Sequence, residues 1–238
     1  MSVFAFRTRV SYDDIDRNMN LTLKGVLGFM QEAAMIHSSQ VGYSVGDVER
    51  THVTWMLVQW RVRILKDAAW GTELTVNTWP RSMDRATSIR NFEILDQDGL
   101  PVAIAESNWV LVNAVSGKIT RITPEIASAY DLTERDVFED PLPEVPAAGG
   151  MITWSGVVAL RDIDTNNHVN NRVYLDYARE ALPQDLTDMP FREVSVRYRK
   201  QLRRGEQIQC RYRCSDDAHM VDICNEEGTV VHGTVIFR

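Results

Sequence analysis

No apolar run in this 238-residue chain approaches the roughly 18 residues needed to span a bilayer as a helix, so no membrane-crossing helix is expected. The N-terminus, MSVFAFRTRVSYDD, lacks the apolar core of a secretion signal and is not a Ser/Arg-rich transit sequence, which points to a cytoplasmic protein. An excess of positive charge is also missing. Lys and Arg number 26 against 33 Asp and Glu, and the formal net charge of −7 argues against a general nucleic-acid binder. Cysteine is scarce. Cys210, Cys214 and Cys224 are odd in number and come without a secretion signal, so reduced thiols, packed or partly exposed on strands, are expected, not a disulfide framework. Their spacing matches no zinc signature and no His pair supports one, so no metal site is expected.

The rest is ordinary in bulk and particular in order. The chain is long enough for one large domain or two small ones. Residues 4–12 alternate as a strand does, and Asp13–Asn20 is a polar loop. Then Leu23, Val26, Leu27, Met30, Ala33, Ala34 and His37 recur at helical spacing, with Gly42 as the stop. His37 lies on the apolar face and reads as a core or pocket-wall residue. Strand-like runs follow at Trp55–Lys66, Thr72–Trp79, Arg85–Leu95 and Val102–Asn113, with turns at Gly71, Asp96–Gly99 and Ser116–Gly117. Their tryptophans, among them Trp55, Trp60, Trp79 and Trp109, divide between core and pocket wall. Pro124 opens a short helix. The acidic, Pro-containing stretch 136–150 is the linker candidate, between domains at 1–135 and 151–238.

After the linker the same order returns: a strand at Thr153–Leu160, a polar loop at Asp162–Asn171, a helix to about Leu182, then strands at Arg192–Leu202, Gln207–Ser215, Met220–Asn225 and Thr229–Phe237. An offset of 148 lays Asp14-Ile15-Asp16-Arg17-Asn18-Met19-Asn20 on Asp162-Ile163-Asp164-Thr165-Asn166-Asn167-His168. An offset of 134 lays Val62-Arg63 on Val196-Arg197 and Gly71 on Gly205. This is a diverged internal duplication. Its informative mismatch is Asn20 against His168, because only the second half keeps an imidazole.

In that second loop Asp164, Asn166 and His168 occupy alternate positions, which an extended segment would point one way. Val173, Tyr174, Tyr177, Ala178 and Ala181 then mark a helix with one buried face, started by the Asn-rich turn. A loop of His and Asn feeding a helix N-terminus can polarise a carbonyl and hold a water beside it.

A helix-and-sheet unit present twice, with DIDTNNHVNNRVYLDY in the second half, resembles the acyl-ACP (acyl carrier protein) thioesterase family, similar to the plant fatty acyl-ACP thioesterases. Thr54-Trp55-Met56-Leu57, Gly71-Thr72-Glu73-Leu74, the Trp109–Asn113 strand and Ile122-Thr123-Pro124-Glu125 follow its order, and the likeness covers nearly the whole chain. The resemblance implies an α+β fold of two tandem hotdog domains, each a long helix wrapped by a curved antiparallel sheet. It implies hydrolysis of fatty acyl-ACP thioesters in fatty acid biosynthesis, without metal or cofactor, with the acyl chain in an apolar tunnel bordered by the first helix. Asp164, Asn166 and His168 fall on the family's catalytic block, and the N–H groups of Val169 and Asn170 would polarise the carbonyl. The family places a glutamate in Y-[RK]-[RK]-E; here Tyr198-Arg199-Lys200 is followed by Gln201, a neutral amide that can orient a water but cannot act as base or nucleophile. Arg199, Lys200, Arg203 and Arg204 would receive the acidic carrier protein and its phosphopantetheine, or would be a solvated strand face. Three alternatives stay open: an acyl-CoA thioesterase of the same fold, a non-catalytic acyl-thioester sensor or carrier, and a hotdog hydratase. Asn167-His168-Val169-Asn170 counts against the hydratase because it lacks that group's Pro and second acid. Both a monomer and a homodimer are compatible with a duplicated chain.

Overall fold

A computed structural model describes residues 3–141, 144–145, 147–186, 188–215 and 218–238. The chain divides into two units, Met1–Leu142 and Pro143–Arg238. Of the linker expected at 136–150, residues 142, 143 and 146 lie outside the described residues. No helix among the described residues is long and apolar enough to cross a membrane.

In the first unit the helical apolar stripe becomes α1, Leu23–Gln40, and all seven residues of the expected face are buried. Thr22 caps it, its Oγ1 accepting the Gly25 N–H at 3.0 Å, which satisfies one of the donors a helix start leaves open. The strands are β1 (Phe4–Arg9), β2 (Val53–Ile64), β3 (Glu73–Asp84), β4 (Thr87–Asp96) and β5 (Pro101–Asn113). A short helix, α2 (Val48–Thr51), precedes β2, and α3 (Pro124–Ala129) follows β5. All pairings are antiparallel, in the order β1-β3-β4-β5-β2. Pro80 does not end β3 as the sequence suggests. A register shift between Pro80 and Ser82 absorbs the missing donor and the strand runs on to Asp84.

The second unit repeats the plan with β6 (Met151–Val157), α4 (Val173–Glu180), β7 (Glu193–Tyr198), β8 (Gln207–Ser215), β9 (Ala218–Asn225) and β10 (Val231–Phe237). Its order, β6-β8-β9-β10-β7, is the first unit's order strand for strand. The helix is shorter than its counterpart, eight residues against 18. It closes at Ala181 because Pro183 restricts the residue before it. Tyr174, Leu175, Tyr177 and Ala178 form its buried face, while Val173 is half-buried.

The duplication holds at the level of single hydrogen bonds. Leu21 N donates to Ala68 O and Val169 N to Leu202 O. Gly71 N donates to Val10 O and Gly205 N to Val158 O, with the two glycines at φ +84 and +83. The same two offsets, 148 and 134, relate every one of these pairs.

Residues 133–140 are not a free linker. Thr133 N donates to Pro80 O, and the Arg135 carbonyl accepts from Trp79 Nε1 (2.9 Å) and Asn91 Nδ2 (2.6 Å). Asp140 pairs with the buried Arg61 at 2.8 Å, and the Arg61 guanidinium lies 4.1 Å from the Phe138 ring centroid. The acidic stretch therefore straps β2, β3 and β4 of the first unit, because buried groups on those strands need its carbonyls and carboxylate. All three cysteines are free thiols; Cys210 and Cys224 are buried and Cys214 is exposed.

Candidate active site

The polar loop is a tight reversing turn, which corrects the extended-segment reading. Asn167 sits in the left-handed region at φ 61, and its N–H donates to Asp164 O at 3.1 Å. Asp164 N donates to His168 O at 2.8 Å, and Asp164 Oδ1 accepts the Asn166 N–H at 2.8 Å. Asp164 and His168 therefore meet across the mouth of the turn, with Asn166 at its exposed tip. Strand parity does not align them.

The first unit contains the same turn. Met19 has φ 66 and donates to Asp16 O, Asp16 N donates to Asn20 O, and Asp16 Oδ1 accepts Asn18 N at 2.8 Å and Asn20 N at 3.0 Å. Asp16 holds its turn where no imidazole exists. The work common to Asp16 and Asp164 is thus to fix the backbone.

The loop is anchored below by Asp162. Its Oδ2 accepts from Ala159 N (2.8 Å) and from the buried Tyr177 hydroxyl of α4 (2.8 Å). Burial and this bond push the Tyr177 phenol well above its ordinary pKa, so it stays a donor. Val169 N–H is committed to Leu202 O (2.9 Å) and Asn170 N–H to Asp162 O (2.8 Å). The expectation that Val169 and Asn170 polarise a substrate carbonyl is therefore corrected, since both donors are used to seat the loop. Asn170 also starts α4, its Oδ1 accepting Arg172 N at 3.0 Å.

His168 is half-buried. Burial lowers its pKa below the ordinary value, the Arg203 charge lowers it further, and the Asp164 carboxylate partly offsets both. The imidazole is neutral at neutral pH and free to accept a proton. Gln201 lies beyond the end of β7, in the loop to β8, and is exposed. The strand stops at Tyr198 because Arg199 N and Lys200 N both turn to His232 O, and buried Leu202 then pins the loop. His232 Nδ1 lies 3.2 Å from both the Lys200 and Gln201 carbonyls and donates to them. The side chain of Gln201 meets no protein partner among the described residues.

The four cations expected to receive a carrier separate into two groups. Arg199 aims Nη1 at Thr234 Oγ1 (2.6 Å), whose hydroxyl donates to the buried Asp222, itself paired with Arg213. Arg199, although exposed, is thereby tied to the fold, while Lys200, Arg203 and Arg204 are exposed along the β7–β8 loop. Among the described residues no cluster of three or more His, Cys, Asp or Glu could hold a metal ion.

A pocket open to solvent at its mouth lies beside α1 inside the first unit, and sequence reasoning does not assign Arg90 to its wall. α1 contributes Ala34, Met35 and Ser38, and the strands contribute Trp55, Arg90 and Trp109. Trp60 and Trp79 are core. The available signal was Arg90 itself, which shares strand parity with the buried Phe92 and Ile94.

Comparison with known proteins bears on the family and the fold. The family model for the acyl-ACP thioesterase N-terminal domain matches residues 2–130, and that for the C-terminal domain matches residues 156–235. An oleoyl-acyl carrier protein thioesterase from Arabidopsis thaliana is 24% identical over 217 residues, covering 82% of this chain and 59% of that protein. The chain thus spans about three-fifths of the length of that plant relative. Among solved structures, an acyl-ACP thioesterase from Bacteroides thetaiotaomicron superposes with a TM-score of 0.89 at 20% identity, over 99% of this chain and 96% of that one. A 12:0-ACP thioesterase from Umbellularia californica gives 0.84 at 19% identity, over 99% and 96%. The fold is the double hotdog of these structures, and the chain belongs to the acyl-ACP thioesterase family.

Proposed function

We propose that this chain hydrolyses fatty acyl-[acyl carrier protein] thioesters to the free acid and the carrier thiol, with the second-unit turn as its catalytic centre. The observation that carries the proposal is the asymmetry between two otherwise matched turns, of which only one bears an imidazole, kept neutral by its surroundings. In this reading His168 takes a proton from water as the water oxygen attacks the thioester carbon. The C–S bond then breaks, and the imidazolium returns the proton to the leaving thiolate. With the Val169 and Asn170 N–H groups committed, the Asn166 side-chain amide and the positive end of α4 polarise the carbonyl. Asp164 holds the turn. Gln201 positions the water and leaves the base role to His168.

The pocket beside α1 takes the acyl chain, and the first-unit turn is a scaffold without chemistry. Lys200, Arg203 and Arg204 receive the acidic carrier. The test is free-thiol release from acyl-loaded carrier protein beside matching acyl-CoAs. His168→Ala is expected to lower turnover by about 10²–10⁴-fold; near-normal turnover in that variant sinks the assignment. Gln201 in place of a carboxylate favours one second reading, an acyl-thioester sensor or carrier, for which the same assay would give tight binding and no thiol.

A further inference from the structure

We propose that the first-unit pocket is a receptor for an apolar chain ending in a carboxylate, and that Arg90 on β4 binds the carboxylate. The proposal deepens the reading of this pocket as the acyl-chain site. Arg90 is only 5% exposed, yet its side chain lines the pocket with Ser38, Trp55, Ser88, Trp109 and Tyr130. Its Nη1 donates to Thr78 Oγ1 (3.2 Å) and to His37 Nδ1 (3.0 Å). Both acceptors are neutral. Burial, and then the Arg90 charge, hold the His37 pKa down to about 4, so its Nδ1 offers a lone pair and no charge. The Tyr130 ring stands 5.7 Å from the guanidinium, and its hydroxyl is tied up with Ser38 Oγ and Trp55 Nε1.

No carboxylate pairs with Arg90 among the described residues. The contrast lies within the same chain: buried Arg61 has Asp140, and Arg213 has Asp222. A guanidinium carries five N–H donors. Nη1 is engaged, while Nε and Nη2 meet no protein acceptor among the described residues. Neither is among the sealed, unpartnered polar atoms of the described residues, and Arg90 is one of the residues that line the pocket. Desolvating a cation without an anion is costly, and neutral hydrogen bonds return only part of that cost. A carboxylate entering the pocket would meet the pair of donors geometrically suited to it, and Trp55, Trp109 and Met35 would cover the chain behind it.

One ligand chemistry fits, an alkyl chain with a terminal carboxylate. It has two sources: a free fatty acid, which is the product of the proposed reaction, or an acyl thioester whose far end carries an acid.

Trp55 and Trp109 line the pocket, so tryptophan fluorescence of the full chain reports occupancy. We would titrate dodecanoate and 1-dodecanol at pH 8, below their aggregation limits. Dodecanoate is expected to bind at least about ten-fold more tightly, the increment of a charge-assisted bond. Arg90→Gln and Arg90→Met should remove the preference, and Arg90→Lys should keep part of it. Equal affinities in the wild-type protein overturn the proposal even if every Arg90 variant misfolds. A preference that survives Arg90→Gln overturns it too. A second arm compares carrier thioesters of dodecanoic and dodecanedioic acids. An Arg90-dependent fall in KM for the diacid assigns the carboxylate to the substrate's tail; its absence, with tight dodecanoate binding, assigns it to the free acid. Fluorescence needs no turnover, so a failed hydrolase reading is distinguishable from a failed pocket. Dodecanoate preference without thiol release would retain the receptor and discard the enzyme.

Discussion

Replacing Asp164 and Asp16 in parallel separates the scaffold role of an aspartate from a chemical one. Asp164 Oδ1 holds one turn N–H, at 2.8 Å, and Asp16 Oδ1 holds two, at 2.8 and 3.0 Å. Each such partly solvated bond contributes about 1 kcal/mol net, so Asp164→Ala should cost about 1 and Asp16→Ala about 2 kcal/mol. For a chain of this length that is a fall in Tm of about 2–4 °C and about 4–8 °C respectively. The order of activities should be the reverse of the order of stabilities. Asp16→Ala should leave turnover within about two-fold, because no imidazole depends on that turn. Asp164→Ala should lower turnover far more than its small Tm change suggests, because Asn166 and His168 lose their placement. The conservative variant decides the mechanism. Asp164→Asn keeps an oxygen acceptor for the Asn166 N–H and removes only the charge. Turnover is expected to stay within about ten-fold of wild type, less than a lost general base costs. Its acid limb should move to lower pH, since the Asp164 carboxylate raises the His168 pKa. Calorimetry and stopped thiol-release assays across pH make the comparison. A loss beyond about 10³-fold in Asp164→Asn, with Tm unchanged, would refute the scaffold assignment and make the carboxylate a proton-handling group.

Arg203 also sets the His168 titration, in the opposite sense. Removing its charge in Arg203→Gln should raise the His168 pKa and shift the acid limb of kcat to higher pH, whereas Arg204→Gln should alter KM for the carrier substrate and leave the limb in place. His37 predicts a pH-dependent stability. Its pKa is about 4 in the folded protein against an ordinary 6.5, so the unfolded chain binds the proton first. Stability should fall as pH drops from about 6.5 and level off below about 4, by up to about 3 kcal/mol. Urea midpoints at pH 7 and pH 4.5 should show a smaller loss in His37→Gln than in wild type; an equal loss would mean that other groups carry the effect.

Much of the scaffold is written in local periodicity, and the structure shows where that writing stops. The seven-residue stripe of α1 and the offset of 148 are properties of spacing, and burial follows spacing directly. The turn at Asp164–Asn167 defeats the same logic. A polar residue at every second position looks extended, while the left-handed Asn167 that reverses the chain leaves no periodic trace. Gln201 reads as strand because Leu202 keeps the parity of Val194, Val196 and Tyr198, but one carbonyl, His232 O, takes two successive N–H groups and breaks the ladder. The fates of the Val169 and Asn170 donors depend on Leu202 and Asp162, one of them more than 30 residues away in sequence. Arg90 was visible by parity, but its lack of an acid is a three-dimensional fact.

The strap at 133–140 bears on where this chain can be cut. Composition alone invites a boundary at residue 135, ahead of the acidic stretch. A first unit expressed to that point would lose both the Asp140 ion pair and the Phe138 ring that the buried Arg61 guanidinium meets, and should unfold at lower temperature than one ending at 141. A fragment ending at 141 carries the clasp with it. Six residues of acidic, Pro-containing chain, spacer-like in composition, are the difference between a fragment that keeps this clasp and one that leaves it behind.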